Sequence, residues 1–202
     1  MFLYPWEGKN YNSGINGEKV FIFGESHYDD DEPLNTAELV ADIGISNYTS
    51  EVVRSILLNK KYVRFFKRIG CLFNEDWTKI WDNIAFANLI QFILENGEQP
   101  NDTHIASIDS FYKYLEMLKP NKVIICSART WNDWFEWHIE KDEDKLISDV
   151  KIGIAHPVKF IYNGGTTLAI GINHPSEWKS EENYVERWKP EIEKFLAYKI
   201  DS

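Results

Sequence analysis

Val20-Phe21-Ile22-Phe23-Gly24-Glu25-Ser26-His27-Tyr28 is the stretch on which the fold turns. Four consecutive apolar residues read as a buried strand, and Gly24 ends it in a tight loop. The loop stays acidic and polar through Glu32. Downstream, apolar positions recur at helical spacing over residues 50–69, with a break near Asn59. Residues 84–90 are a second strand interrupted by Asn88, and 123–126 a third, reached from an amphipathic helix over 105–118 that Pro120 stops. Residues 131–138 continue as helix, and 140–144 form a charged loop. Residues 158–162 read as a strand returning toward the turn Asn163-Gly164-Gly165. The last strand, 167–172, runs straight into His174-Pro175-Ser176, and a final helix within 180–198 takes Pro190 in its first turn.

Four apolar strands separated by helical segments argue for an α/β fold. The expectation is a three-layer α/β/α sandwich with a central, mainly parallel four-stranded sheet, in one domain over residues 1–202. In such sheets ligands bind beyond the carboxyl ends of the strands, so the loops that come after strands carry the functional question.

Composition narrows the classes. The chain is 44% hydrophobic, with 8 Trp, 10 Tyr and 12 Phe, enough to bury a core without disulfides or metal. Its two cysteines, Cys71 and Cys126, cannot supply the four thiolates of an iron-sulfur cluster or a closed thiolate zinc site. No metal or other cofactor is expected. Residues 1–10 include Pro5, Glu7 and Lys9 in place of an apolar leader, and no stretch is long enough to span a membrane, so a cytoplasmic protein with reduced thiols is expected. A net charge of −10 runs against wholesale phosphate neutralisation. Arg54, Lys60, Lys61, Arg64, Lys67 and Arg68 nonetheless cluster, and read as the solvated face of a helix or as a phosphate track.

Three strands deliver polar residues at or near their carboxyl ends: Glu25 and His27, Asn88, and His174. Their order resembles the uracil-DNA glycosylase superfamily over most of the chain. The classical branch reads Gly-Gln-Asp-Pro-Tyr-His at its first motif, the iron-sulfur branch Gly-Glu-Ala-Pro-Gly. Gly24 and Tyr28 match the former and Gly24 with Glu25 the latter, while Ser26 replaces the water-activating Asp and His27 the Pro. At the second motif, His174-Pro175-Ser176-Glu177-Trp178 stands where the classical branch has His-Pro-Ser-Pro-Leu-Ser.

The resemblance implies a DNA glycosylase that flips uracil or another modified base out of DNA and hydrolyses its N-glycosidic bond, in repair or in defence against phages with modified DNA. A monomer is expected on every reading, since no sequence feature announces an oligomer interface. By position, His174 bonds the base oxygen as charge develops there. Glu25 is the candidate for the carboxylate that stabilises the sugar cation or positions water, with Asp29 and Asp30 as runners-up. Asn88 reads the base edge, Tyr28 excludes a 5-methyl group, and Phe86, Ser26 and His27 complete the base pocket. Ser176, Trp178 and Lys179 meet the DNA, with Trp178 at the intercalating position.

Two further readings stand beside this one. His27, Asp29, Asp30, Asp31, Glu32 and His156 or His174 are adequate ligand types for a metal-dependent hydrolase, though their spacing matches no metal signature. A non-catalytic module of the same fold could sense a base or nucleotide without cutting.

Overall fold

Val20–Gly24 (β2) is buried along its whole length. The computed structural model describes residues 2–29, 45–59, 63–73, 76–95, 108–136, 151–154 and 156–199. The other strands are β1 (Trp6–Glu7), β3 (His27–Asp29), β4 (Ile84–Asn88), β5 (Ile93–Glu95), β6 (Lys122–Ile125), β7 (Val158–Tyr162) and β8 (Gly165–Gly171). The α-helices are α1 (Tyr48–Asn59), α2 (Arg64–Cys71), α3 (Ile108–Leu118) and α4 (Glu181–Ala197).

The main sheet has six strands in the order β1-β4-β2-β6-β8-β7. It is mixed, and this corrects the expected four-stranded sheet. β4, β2, β6 and β8 pair in parallel, whereas β1 adds antiparallel to β4 and β7 antiparallel to β8. Two residues of β1 are too few to leave a periodic signal, and β7 is turned back on β8 through Gly164, whose φ of 108° suits a residue without Cβ. A second difference is the two-stranded parallel sheet β3-β5, whose first strand falls in the stretch that reads as loop from sequence.

The period-2 alternation of side chains divides the core. Val20, Ile22, Ile84, Phe86, Ile124 and Ile170 face one side, with α1, α2 and α4 packed on them. Phe21, Phe23, Ala85, Ala87, Val123, Ile125 and Ala169 face the other, under Phe111, Tyr114, Leu115 and Leu118 of α3.

In α4, Ser180 caps the N-terminus by accepting from the Asn183 N–H at 3.1 Å. Pro190 lies inside this helix, not in its first turn. The buried stripe Tyr184, Trp188, Ile192 and Phe195 runs past it on both sides, so burial outweighs the one backbone hydrogen bond that proline removes. The expected helix over 131–138 is wound as a π-helix, Thr130–Glu136. The 140–144 loop lies outside the described residues.

Because four adjacent strands run the same way, the segments after Gly24, Asn88, Ile125 and Gly171 leave from one edge of the sheet. They are tied together as they leave: Leu89 N–H donates to Gly24 O (3.1 Å), Ile90 to Glu25 O (2.9 Å), Cys126 to Phe23 O (2.8 Å) and Ile172 to Ile125 O (2.9 Å). Trp131 closes over the end of β8, where a Cβ on Gly171 would sit 2.5 Å from its Cγ. The Gly171→Ala variant is therefore expected to lose about 1–3 kcal/mol of stability through overpacking, measured by denaturant unfolding.

Candidate active site

The polar residues at this edge are set by strand register. Gly24 and Asn88 are direct partners in the β2-β4 ladder. A Cβ on Gly24 would fall well under 3.0 Å from Asn88 Oδ1, so the glycine is what lets the Asn88 side chain lie across the end of β2. Asn88 is 5% exposed, and its carboxamide has no hydrogen-bond partner among the described residues. Two residues beyond Gly24, Ser26 Oγ is also buried, with no partner among the described residues.

Glu25 is held from the loop after β6. Ser127 Oγ donates to Glu25 Oε2 at 2.8 Å, and Arg129 pairs with Glu25 Oε1. Thr130 Oγ1 stands 3.5 Å from the same carboxylate, a weak contact, while its backbone N–H donates to Ser127 Oγ at 3.1 Å. The Glu25 side chain retains 11% exposure against 38% for Arg129, so the pair presents its guanidinium side to solvent. Sequence reasoning missed Ser127, Arg129 and Thr130, although they come directly after a strand at its carboxyl end and the strand-end rule points to them as directly as to Glu25.

His174 caps the 3₁₀ turn Pro175–Glu177, its Nδ1 accepting the Ser176 N–H at 3.2 Å. The neutral ring therefore carries its proton on Nε2, its remaining donor. Burial, with the nearby Arg129 charge adding to it, pushes its pKa down to about 4. Arg129 is thus the group that links the two motifs, paired with Glu25 and felt by His174. The imidazole packs on Phe65 of α2 with centroids 5.4 Å apart, and Phe65 in turn meets Phe86 at 5.6 Å.

The other candidates divide. Phe86 is a core ring, 2% exposed and enclosed by Phe65, Phe66, Trp81 and His27, so it is Phe65, partly exposed, that carries the aromatic surface toward His174. His27 is buried, bonded through Nε2 to Thr49 Oγ1 at 2.9 Å, with its pKa pushed down to about 4 by desolvation. Tyr28 and Asp29 have described backbone in β3, and their side chains lie outside the described part of the molecule. Asp30, Asp31 and Glu32 lie outside the described residues. His156 is exposed in the segment before β7. Among the described residues no group of three His, Cys, Asp or Glu side chains is placed to hold a metal ion.

The chain matches no known family model and no curated protein. The chemistry of the site therefore has to be built from its geometry. Ser176 and Lys179 are exposed, and Trp178 is partly buried with its ring edge-on to Tyr184 of α4 at 5.8 Å. Arg68, grouped by sequence with a solvated or phosphate-facing basic strip, is instead 5% exposed and donates to the carbonyls of Pro175 and Trp178. Arg54 and Arg64 are exposed, whereas Lys60 and Lys61 lie outside the described residues.

Gly24→Ala should leave thermal stability close to wild type, because the displaced atom is a side-chain tip, but should move Asn88 and weaken ligand binding at this edge, read by calorimetry or activity. The two histidines make a separate prediction. His27 and His174 both titrate near 4 when folded, below the 6.5 of a free imidazole. The unfolded chain therefore binds more protons across that interval, and stability should fall as pH drops from about 6.5 to about 4, by on the order of 3 kcal/mol for each ring. Unfolding measured against pH should show a shallower slope in His27→Gln.

Proposed function

We propose that the protein is a DNA glycosylase of the uracil-DNA glycosylase type, a single domain over residues 1–202 that hydrolyses the N-glycosidic bond of a flipped uracil or other modified base. The observation that carries this reading is the unpaired carboxamide of buried Asn88 at the same sheet edge as Glu25 and a neutral His174. An amide committed to no other described group can meet a ligand without first breaking a bond within the protein. An amide offers one donor and one acceptor in a plane, which suits the edge of a pyrimidine. Ser26 Oγ supplies a second unpaired polar atom nearby.

In this mechanism the nucleotide leaves the stack and its base enters against Asn88, with Phe65 rather than Phe86 as the available ring surface. The bond from C1′ to the base nitrogen breaks with its electron pair on the base. His174 Nε2–H donates to the base oxygen where that charge gathers. Glu25 faces the cationic sugar, and water adds to C1′, its proton ending on the departing base. Arg129 and Ser127 fix the orientation of Glu25. Exposed Lys179 and Ser176, with Trp178 beside them, form the lip that meets DNA, and Arg129 adds positive charge where the acidic chain needs it. Repair of deaminated DNA and defence against phages with modified bases both require this reaction. A cytoplasmic monomer without cofactor completes the proposal; among the described residues no helix is long and apolar enough to cross a membrane.

One observation favours a second reading, a binding module that holds the base without cutting. Glu25 is already engaged by Arg129 and Ser127, which leaves less of its charge for a sugar cation. Single- and double-stranded DNAs carrying uracil, mismatched thymine, deaminated purines and bulky pyrimidines distinguish the two when scored for abasic sites. The glycosylase reading expects product on at least one of them, lost about 10²-fold or more in Glu25→Gln and in His174→Ala with the fold intact. Tight binding without abasic product on every member selects the binding module.

A further inference from the structure

The candidate site leaves one unusual group unused. Arg68 of α2 is buried, yet no carboxylate pairs with it among the described residues. Its Nη1 donates instead to Trp178 O at 2.9 Å and to Pro175 O. A guanidinium without a counter-charge is a poor way to fill a core, since an apolar side chain of similar size would be desolvated at less cost. What an apolar side chain lacks is a donor fork that holds two carbonyls at once.

Those carbonyls bracket the turn that carries His174. Within the turn, Glu177 N–H donates to His174 O at 3.2 Å and Ser176 N–H to the ring. Tyr184 OH of α4 donates to Asn173 O at 3.4 Å, just before it. Phe65, three residues before Arg68 and so on the same face of α2, supports the imidazole itself. One turn of helix thereby holds both the ring and the backbone beneath it.

We propose that Arg68 is a positioning residue that, through Pro175 O and Trp178 O, sets the depth and orientation of His174 for the bound base. The role in catalysis rests on the glycosylase reading; the positioning does not. Among the described residues, the charged and titratable groups around the turn include Arg129 from the loop after β6, itself paired with Glu25, Arg68 from α2, Tyr184 from α4 with Cys126 near it, Glu177 within the turn, and the Lys67–Glu181 pair between α2 and α4, with Cys71 on Glu181.

The test tracks the imidazole resonances of the full-length protein by NMR in Arg68→Met and Arg68→Lys, with His27 as an internal reference because it is buried on Thr49. In Arg68→Met the pKa of His174 should rise from about 4 toward 6.5 while that of His27 stays low. Arg68→Lys should give an intermediate value. An unchanged His174 titration in folded Arg68→Met overturns the proposal. If Arg68→Met fails to fold, both histidines titrate as free rings and Arg68→Lys decides: a rise of His174 alone supports the proposal, and no change overturns it. On any substrate that wild type cleaves, kcat should fall at least tenfold in Arg68→Met with KM changed less than threefold, and Arg68→Lys should recover part of it. Failure of wild type to release any base would defeat the glycosylase reading and leave the titration to judge Arg68.

Discussion

β2 is hydrogen-bonded by parallel strands along both sides and covered on both faces, and the rest of the molecule is arranged around that constraint. A strand in this position exposes only its ends. Parallel neighbours then bring their own carboxyl ends to the same edge, so residues distant in sequence, Glu25, Asn88, Arg129 and His174, are delivered to one place by backbone pairing alone. Side-chain chemistry has only to refine what the ladder places.

The refinement is mostly electrostatic. Arg129 joins the Glu25 carboxylate and lies close enough to His174 to disfavour its protonation. The result is a carboxylate paired with Arg129 and an imidazole kept neutral first by its burial and further by that same cation. Arg68 performs the complementary task from beneath, where its charge meets carbonyl dipoles rather than a carboxylate. Two arginines of opposite exposure thus brace the same histidine, one through the field it creates and one through the backbone it holds.

Much of this was legible in the residues. The apolar runs that became β2, β4, β6 and β8 announced themselves because a strand buried on both faces has no polar alternation to confuse it. The break near Asn59 falls where α1 ends and α2 soon begins. Edge strands were harder: β1 has two residues and β3 three, and their pairing is decided by neighbours far along the chain. Arg68 shows the same limit from the other side. Its sequence context is basic and amphipathic, and nothing local reveals that its partners are carbonyls more than a hundred residues away. Pro190 misleads because a buried stripe can carry a helix through a proline that local propensity assigns to a helix start. Ser127 and Arg129, by contrast, were within reach, since they occupy a strand-end loop.

The relation between Gly24 and Asn88 has a meaning for descent. Because the side chain at 88 occupies the volume where a side chain at 24 would begin, the two positions behave as one inherited character. Bulk acquired at the first displaces the side chain at the second, so a change at either position is felt at both. Chains that diverge at this sheet edge should therefore change the two positions together.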